Sequence, residues 1–185
     1  QVALLEAGKE DNSFWVKVPL GFGKLYDNPR YCWLYESEPE AELENSTHRA
    51  PRGRMLGGSS SINGMVYLRG QHGDFDHWRD LGNVGCGYED VLPYFIKSED
   101  NDRGAGPFHG KGGPLGVSSN QKHELTDAFV ESAIKAGYPR NADFNGAAQE
   151  GFGCSQITAR NGRRCSAAMA FLHPARSRTN LSVLT

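Results

Sequence analysis

The sequence predicts an α/β chain in two lobes, and three features carry that expectation. The apolar run Val2-Ala3-Leu4-Leu5 ends at Glu6 and Gly8, the pattern of a strand buried on both faces of a parallel sheet. Residues 88–99 and 124–136 repeat apolar side chains at helical spacing, as helices packed on a sheet do. Finally, 23 glycines and 9 prolines among 185 residues call for many turns and for backbone that approaches a neighbour closely.

Each element follows in chain order. Glu6 would stand at the C-terminal edge of the first strand, where open α/β sheets bind nucleotides and a carboxylate can accept from both ribose hydroxyls. A carboxylate there can equally cap its own loop. Residues 9–50 hold little periodicity and many breakers, Pro19, Gly21, Gly23, Pro29 and Pro39 among them, which suits an irregular cover. Its aromatics, from Phe14 and Trp15 to Trp33 and Tyr35, are expected mostly as core anchors. Residues 51–65 join a glycine pair, Gly57-Gly58, to Ser59-Ser60-Ser61 and Asn63 where a helix can start, so backbone N–H groups there can attract an anion.

Asp74 to Leu81 reads as a short helix capped by Asp74 and closed by Gly82. Tyr88 to Glu99 reads as a second, with Val91, Leu92, Phe95 and Ile96 on one stripe and Pro93 tolerable in its first turn. The polar run from Ser98 to Pro107 predicts a connection between lobes. Leu115 to Ser118 suits a strand, and Glu124 to Ala136 is the clearest amphipathic helix, with Leu125, Phe129, Ala133 and Ile134 in phase and Gly137 as its stop. Gly153 to Ala159 followed by Arg160-Asn161-Gly162-Arg163 predicts a strand and turn. Ser166 then caps a small-residue helix, 167–172, halted near Pro174, and Leu181 to Leu184 is a last strand.

Composition removes several function classes. With 20 basic against 22 acidic residues the net charge is −2, which builds no field for nucleic acid or an anionic membrane. Cys32, Cys86, Cys154 and Cys165 show no metal-ligand spacing, so reduced thiols and no metal are expected. No run reaches the ~20 apolar residues of a membrane span; the expected location is cytoplasmic or peripheral to a membrane. His109-Gly110-Lys111-Gly112-Gly113 does not satisfy a Walker loop, which leaves a glycine-rich turn around a satisfied histidine. Ser60 lacks a nucleophile elbow.

The segment Pro51-Arg52-Gly53-Arg54-Met55-Leu56-Gly57-Gly58-Ser59-Ser60-Ser61-Ile62-Asn63-Gly64-Met65, with Val2 to Gly8 before it and Tyr67-Leu68-Arg69-Gly70 after it, resembles a signature of the glucose–methanol–choline oxidoreductases. Val91 to Phe95, His109 to Leu115, Asp143-Phe144-Asn145-Gly146 and Gly162-Arg163-Arg164 fall in that family's order, closest to its choline dehydrogenase-like branch. The resemblance implies an FAD-binding, Rossmann-like nucleotide domain at 1–100 and 157–185, incomplete, and a piece of a substrate domain at 101–156. It also implies an N-terminal-to-middle fragment, with the G-x-G-x-x-G turn before Gln1, the catalytic histidine after Thr185 and no catalytic residue within the chain. Cys86 and Cys165 stand where the family usually has Trp, and Cys154 where Tyr is common.

By the same resemblance Glu6 binds the ribose, and Arg52, Gly53, Met55, Leu56, Gly57, Gly58 and Ser59 run along the pyrophosphate and ribityl chain. Asn63, Gly64, Met65 and Val66 approach the flavin ring, with backbone N–H groups of 63–65 stabilising charge near its N1 and C2 carbonyl. Among the serines, Ser59 is the expected direct ligand. Some members carry a histidine near the Ile62 position that joins FAD covalently; its absence implies dissociable FAD. The implied activity is oxidation of a primary alcohol, choline or another, to the aldehyde by hydride transfer to flavin N5. A non-catalytic flavin-binding subunit and a hydroxynitrile lyase-type enzyme are the alternatives. The substrate would be a small alcohol, the acceptor that reoxidises the flavin is open, and a homo-oligomer is compatible with all three.

Overall fold

The computed structural model describes residues 1–121 and 123–185. In chain order the elements are β1 (Val2–Leu5), α1 (Phe14–Lys17), α2 (Phe22–Leu25), β2 (Cys32–Glu36), β3 (Arg49–Gly53), β4 (Val66–Tyr67), α3 (His72–Asp80), α4 (Tyr88–Ser98), β5 (Glu99–Asn101), β6 (Leu115–Ser119), α5 (Glu124–Lys135), β7 (Gln156–Ile157), β8 (Ala159–Arg160), β9 (Arg163–Arg164), α6 (His173–Ala175) and β10 (Leu181–Leu184). They form two compact units, 1–65 with 159–185, and 66–158.

In the first unit β1 pairs parallel with β10, Val2 opposite Leu181 and Leu5 opposite Leu184, so the first and last strands share one sheet as their apolar runs suggest. Burial on both faces does not follow: Val2 is 57% and Leu5 76% exposed, because a two-stranded ladder cannot cover its own faces. The chain leaves β1 through Gly8, where a Cβ would meet the Arg54 carbonyl oxygen at 2.0 Å. Only glycine permits that approach. It lets Lys9 bridge in parallel to Met55 and Leu56 N donate to Lys9 O at 2.9 Å.

Residues 9–50 are more regular than their breakers imply. β2 and β3 form an antiparallel pair, Cys32 opposite Gly53 and Glu36 opposite Arg49, which the proline at 51 conceals in the sequence. Most of the aromatics expected as anchors are exposed: Phe14 67%, Trp15 43%, Tyr26 46% and Tyr35 54%. The core is aliphatic instead, built from Val16, Leu25, Cys32, Met55 and Ile62 with Tyr31 against it. Asn161 and Gly162 have φ of 51° and 72° and join β8 to β9 by the primed turn an Asn-Gly pair favours. A π-type turn, Ala168–Leu172, runs on into α6, which ends at Ala175, one residue past Pro174, so the helix halts near the proline as its missing N–H and ring imply.

The second unit holds a four-stranded sheet in the order β4-β7-β6-β5, antiparallel except for β5 beside β6. Its β5 lies inside the run expected as a polar connection, with Glu99 and Asn101 both 0% exposed. Charged residues read as loop, and only their buried partners make them a strand. Helix α3 starts two residues before Asp74, which caps from the third position by accepting Gln71 N at 2.7 Å. Pro93 sits in mid-helix in α4, not in its first turn. On α5 the apolar stripe is real but partly open, Leu125 being 75% and Phe129 66% exposed. Among the described residues no helix is long and apolar enough to cross a membrane.

Candidate functional site

The segment 51–65 leaves β3 and folds into a tight, internally braced turn. Gly57 (φ 85°) and Gly58 (φ 53°) adopt the left-handed conformation that side chains resist, and a single 3-10 turn, Gly58–Ser61, follows. The two glycines serve different ends. A Cβ on Gly57 would strike Ser61 Oγ at 2.5 Å, whereas at Gly58 and at Gly64 it would meet nothing within 4 Å. Those two positions therefore face open space, a surface a bulky planar or phosphate-bearing group can approach to backbone contact.

The serines divide in the same way. Ser61, fully buried, donates from Oγ to Leu56 O at 2.8 Å, and Ser60 Oγ donates to Gly57 O at 2.5 Å while accepting from Ala167 N at 2.9 Å. Ser59 is exposed; its Oγ accepts from Gly53 N at 3.0 Å and keeps its O–H for a ligand. Arg52 is exposed beside it, and Arg54 lays its guanidinium 4.4 Å from the Trp33 ring centroid. Glu6 uses Oε1 to hold Gly8 N at 2.7 Å, so the carboxylate does cap its own loop, with Oε2 as the remaining acceptor.

Other expected contacts are occupied by the protein itself. Met55 is 0% and Leu56 1% exposed, so neither side chain can touch a cofactor; both anchor the turn in the core. Of the backbone donors at 63–65, Asn63 N donates to Ser59 O at 2.9 Å and Met65 N to Asn63 Oδ1 at 3.0 Å, whereas Gly64 N makes no hydrogen bond to a described residue and stays open to a ligand. A short turn satisfies its own amides first. Outward donation at Asn63 thus falls to its side-chain amide. Met65 is buried with φ 65°, and Val66, exposed, begins the second unit. Ile62, where a linking histidine would stand, is 2% exposed within the core cluster.

Sequence reasoning missed Arg164. From β9 its Nε donates to Val16 O at 3.0 Å, and its Nη1 donates to Ser60 O at 3.1 Å and Asn63 Oδ1 at 2.8 Å. The side chain is 3% exposed, and burial pulls its guanidinium down to about 10. Its one visible signal was its place as the last residue of the Gly162-Arg163-Arg164 motif.

The second unit carries a buried polar network. Arg69 Nη2 donates to Glu99 Oε2 at 3.1 Å, and Glu99 also accepts from Gly110 N at 2.8 Å and Asn101 Nδ2 at 2.9 Å. His109 sits between two carboxylates, Nδ1 3.2 Å from Glu99 Oε2 and Nε2 2.8 Å from Asp143 Oδ2. The histidine is satisfied, as its glycine-rich surroundings imply, and the network ties strands together.

The chain matches the GMC oxidoreductase family over residues 23–185. It is 41% identical over 98% of its length to an oxygen-dependent choline dehydrogenase of Photobacterium profundum and 45% identical over 99% to one of Rhizobium johnstonii, covering 33% and 34% of those proteins. The chain thus spans about a third of the curated relatives it matches. Among solved structures it superposes on pyridoxine 4-oxidase from Mesorbium loti with a TM-score of 0.94 at 35% identity, covering 100% of this chain and 37% of that one. An FAD-dependent oxidoreductase from Chaetomium thermophilum gives a TM-score of 0.85 at 30% identity, covering 99% of this chain and 34% of that one.

Proposed function

This chain belongs to the GMC oxidoreductase family, and we propose that it forms part of an FAD-dependent enzyme oxidising a primary alcohol, choline-like or other, to the aldehyde. One observation in the structure supports the cofactor above the rest: Gly58, Ser59 and Gly64 present open backbone and a free hydroxyl on one braced turn. FAD, when bound, supplies the hydride acceptor. In this reading Glu6 accepts from a ribose hydroxyl through Oε2, Arg52, Gly53, Gly57, Gly58 and Ser59 line the pyrophosphate, and Asn63, Gly64, Met65 and Val66 border the flavin ring. Met55 and Leu56 support the turn from the core.

Residues 1–100 and 157–185 would belong to the nucleotide-binding domain and 101–156 to the substrate domain; the packing units divide instead after Met65 and before Ala159. The buried Ile62 supports dissociable FAD. No residue of 1–185 is assigned as the base. The test is anaerobic addition of choline and other primary alcohols to the full-length holoprotein. Loss of the oxidised-flavin absorbance with aldehyde formation is expected; a bound flavin that no alcohol reduces overturns the oxidation.

A further inference from the structure

We infer that Arg164 is a positioning residue that locks the side-chain amide of Asn63 so that Nδ2 faces outward as a donor to an acceptor atom of the bound flavin. The inference rests on the FAD reading above. Its basis is saturation of one atom. Asn63 Oδ1 accepts from Arg164 Nη1 at 2.8 Å and from Met65 N at 3.0 Å, and an amide oxygen has two lone pairs. Flipping the amide would set its NH2 against a guanidinium and a backbone N–H, losing both bonds and creating two donor–donor contacts. The side chain is exposed, and its Nδ2 makes no hydrogen bond to a described residue. The amide is therefore oriented by the protein and unused by it.

Arg164 is itself fixed. Its Nε on Val16 O and its Nη1 on Ser60 O leave the planar fork one pose, a rigid donor geometry that the flexible point charge of a Lys lacks. The arrangement is expensive: among the described residues Arg164 Nη2 is a buried nitrogen without a partner, and an unsatisfied buried donor costs stability. A well-packed apolar side chain could fill such a position at lower cost. What Arg164 supplies, and an apolar residue could not, is the oriented donor pair on Ser60 O and Asn63 Oδ1, at the turn whose outer face is open.

The experiment uses full-length apoprotein reconstituted with FAD, reading the dissociation constant by flavin fluorescence and the thermal midpoint of the apoprotein. Asn63→Ala, Arg164→Met, the double variant and Asn63→Asp are compared. Each single substitution is expected to weaken FAD binding about tenfold, and the double no further than the worse single, because both remove one oriented donor. Asn63→Asp keeps an acceptor for Arg164 but has no N–H to offer; it is expected to fold with an unchanged midpoint and to lose FAD affinity like Asn63→Ala. Additive losses, or unchanged affinity in Arg164→Met, overturn the inference. Should Arg164→Met not fold, Asn63→Asp decides alone: affinity equal to the unaltered protein overturns it. An unaltered protein that binds no flavin overturns the underlying FAD reading instead.

Discussion

Arg69 and Glu99 form an ion pair at 3.1 Å with side chains only 2% and 0% exposed. Such a pair contributes little net stability against apolar replacements, but removing one partner strands a buried charge. Glu99→Gln or Arg69→Met is therefore expected to destabilise the protein by about 3–5 kcal/mol. Replacing both with Leu and Met should recover only part of that loss, because Gly110 N and Asn101 Nδ2 would then lose the acceptor that Glu99 gives them. Urea unfolding of the four proteins checks the pattern, and equal stability of the two single variants with the parent would contradict it.

The two glycines of the braced turn should separate under substitution. Gly57→Ala strains a φ of 85° and pushes Cβ to 2.5 Å from Ser61 Oγ, so it should lower the thermal midpoint clearly. Gly58→Ala, at φ 53° with open space beyond, costs only the backbone penalty of about 1–2 kcal/mol. Its larger effect is expected on FAD affinity. Thermal midpoints with and without FAD measure both; a Gly58→Ala protein that binds FAD normally would remove Gly58 from the cofactor surface.

Alkaline stability should depend on Tyr67. Burial raises its phenol above the ordinary value, so above pH ~10 the unfolded chain releases this proton while the folded chain retains it. The folded state then binds more protons, and stability falls as pH rises from ~10 toward the folded value. Tyr67→Phe, which also gives up the 3.3 Å bond from Arg69 Nε to the hydroxyl, is expected to flatten that slope. Denaturation midpoints from pH 8 to about 11 test it; an unchanged slope refutes the assignment to Tyr67.

Acid precipitation of the full-length holoprotein should leave all flavin in the supernatant. The position near which a linking histidine would stand is Ile62, 2% exposed among Val16, Leu25, Cys32 and Met55. Flavin absorbance in the washed pellet would show a covalent bond elsewhere.

Much of the candidate turn was legible because its signal is local. The Gly57-Gly58 pair, Ser59 and Asn63 lie within seven residues, and left-handed glycines beside small polar residues announce a tight turn without tertiary help. The strand pair β1 and β10 was legible as two apolar runs. The β2–β3 pair was not, since Pro51 interrupts the strand pattern, nor was β5, whose Glu99 and Asn101 look like loop until Arg69, His109 and Gln156 surround them.

What the amino-acid order determined by itself was the family signature, the helices at 88–98 and 124–135, and the conformation of the glycine turn, all set by neighbours in the chain. Tertiary structure alone decided how the Asn63 side-chain amide is oriented. Neighbours within the turn take the backbone N–H groups of Asn63 and Met65, but Arg164, a hundred and one residues from Asn63, fixes how the Asn63 side-chain amide points. Hydrogen-bond capacity is finite at each atom, and a contact between residues so far apart in sequence uses it up in ways no local pattern records.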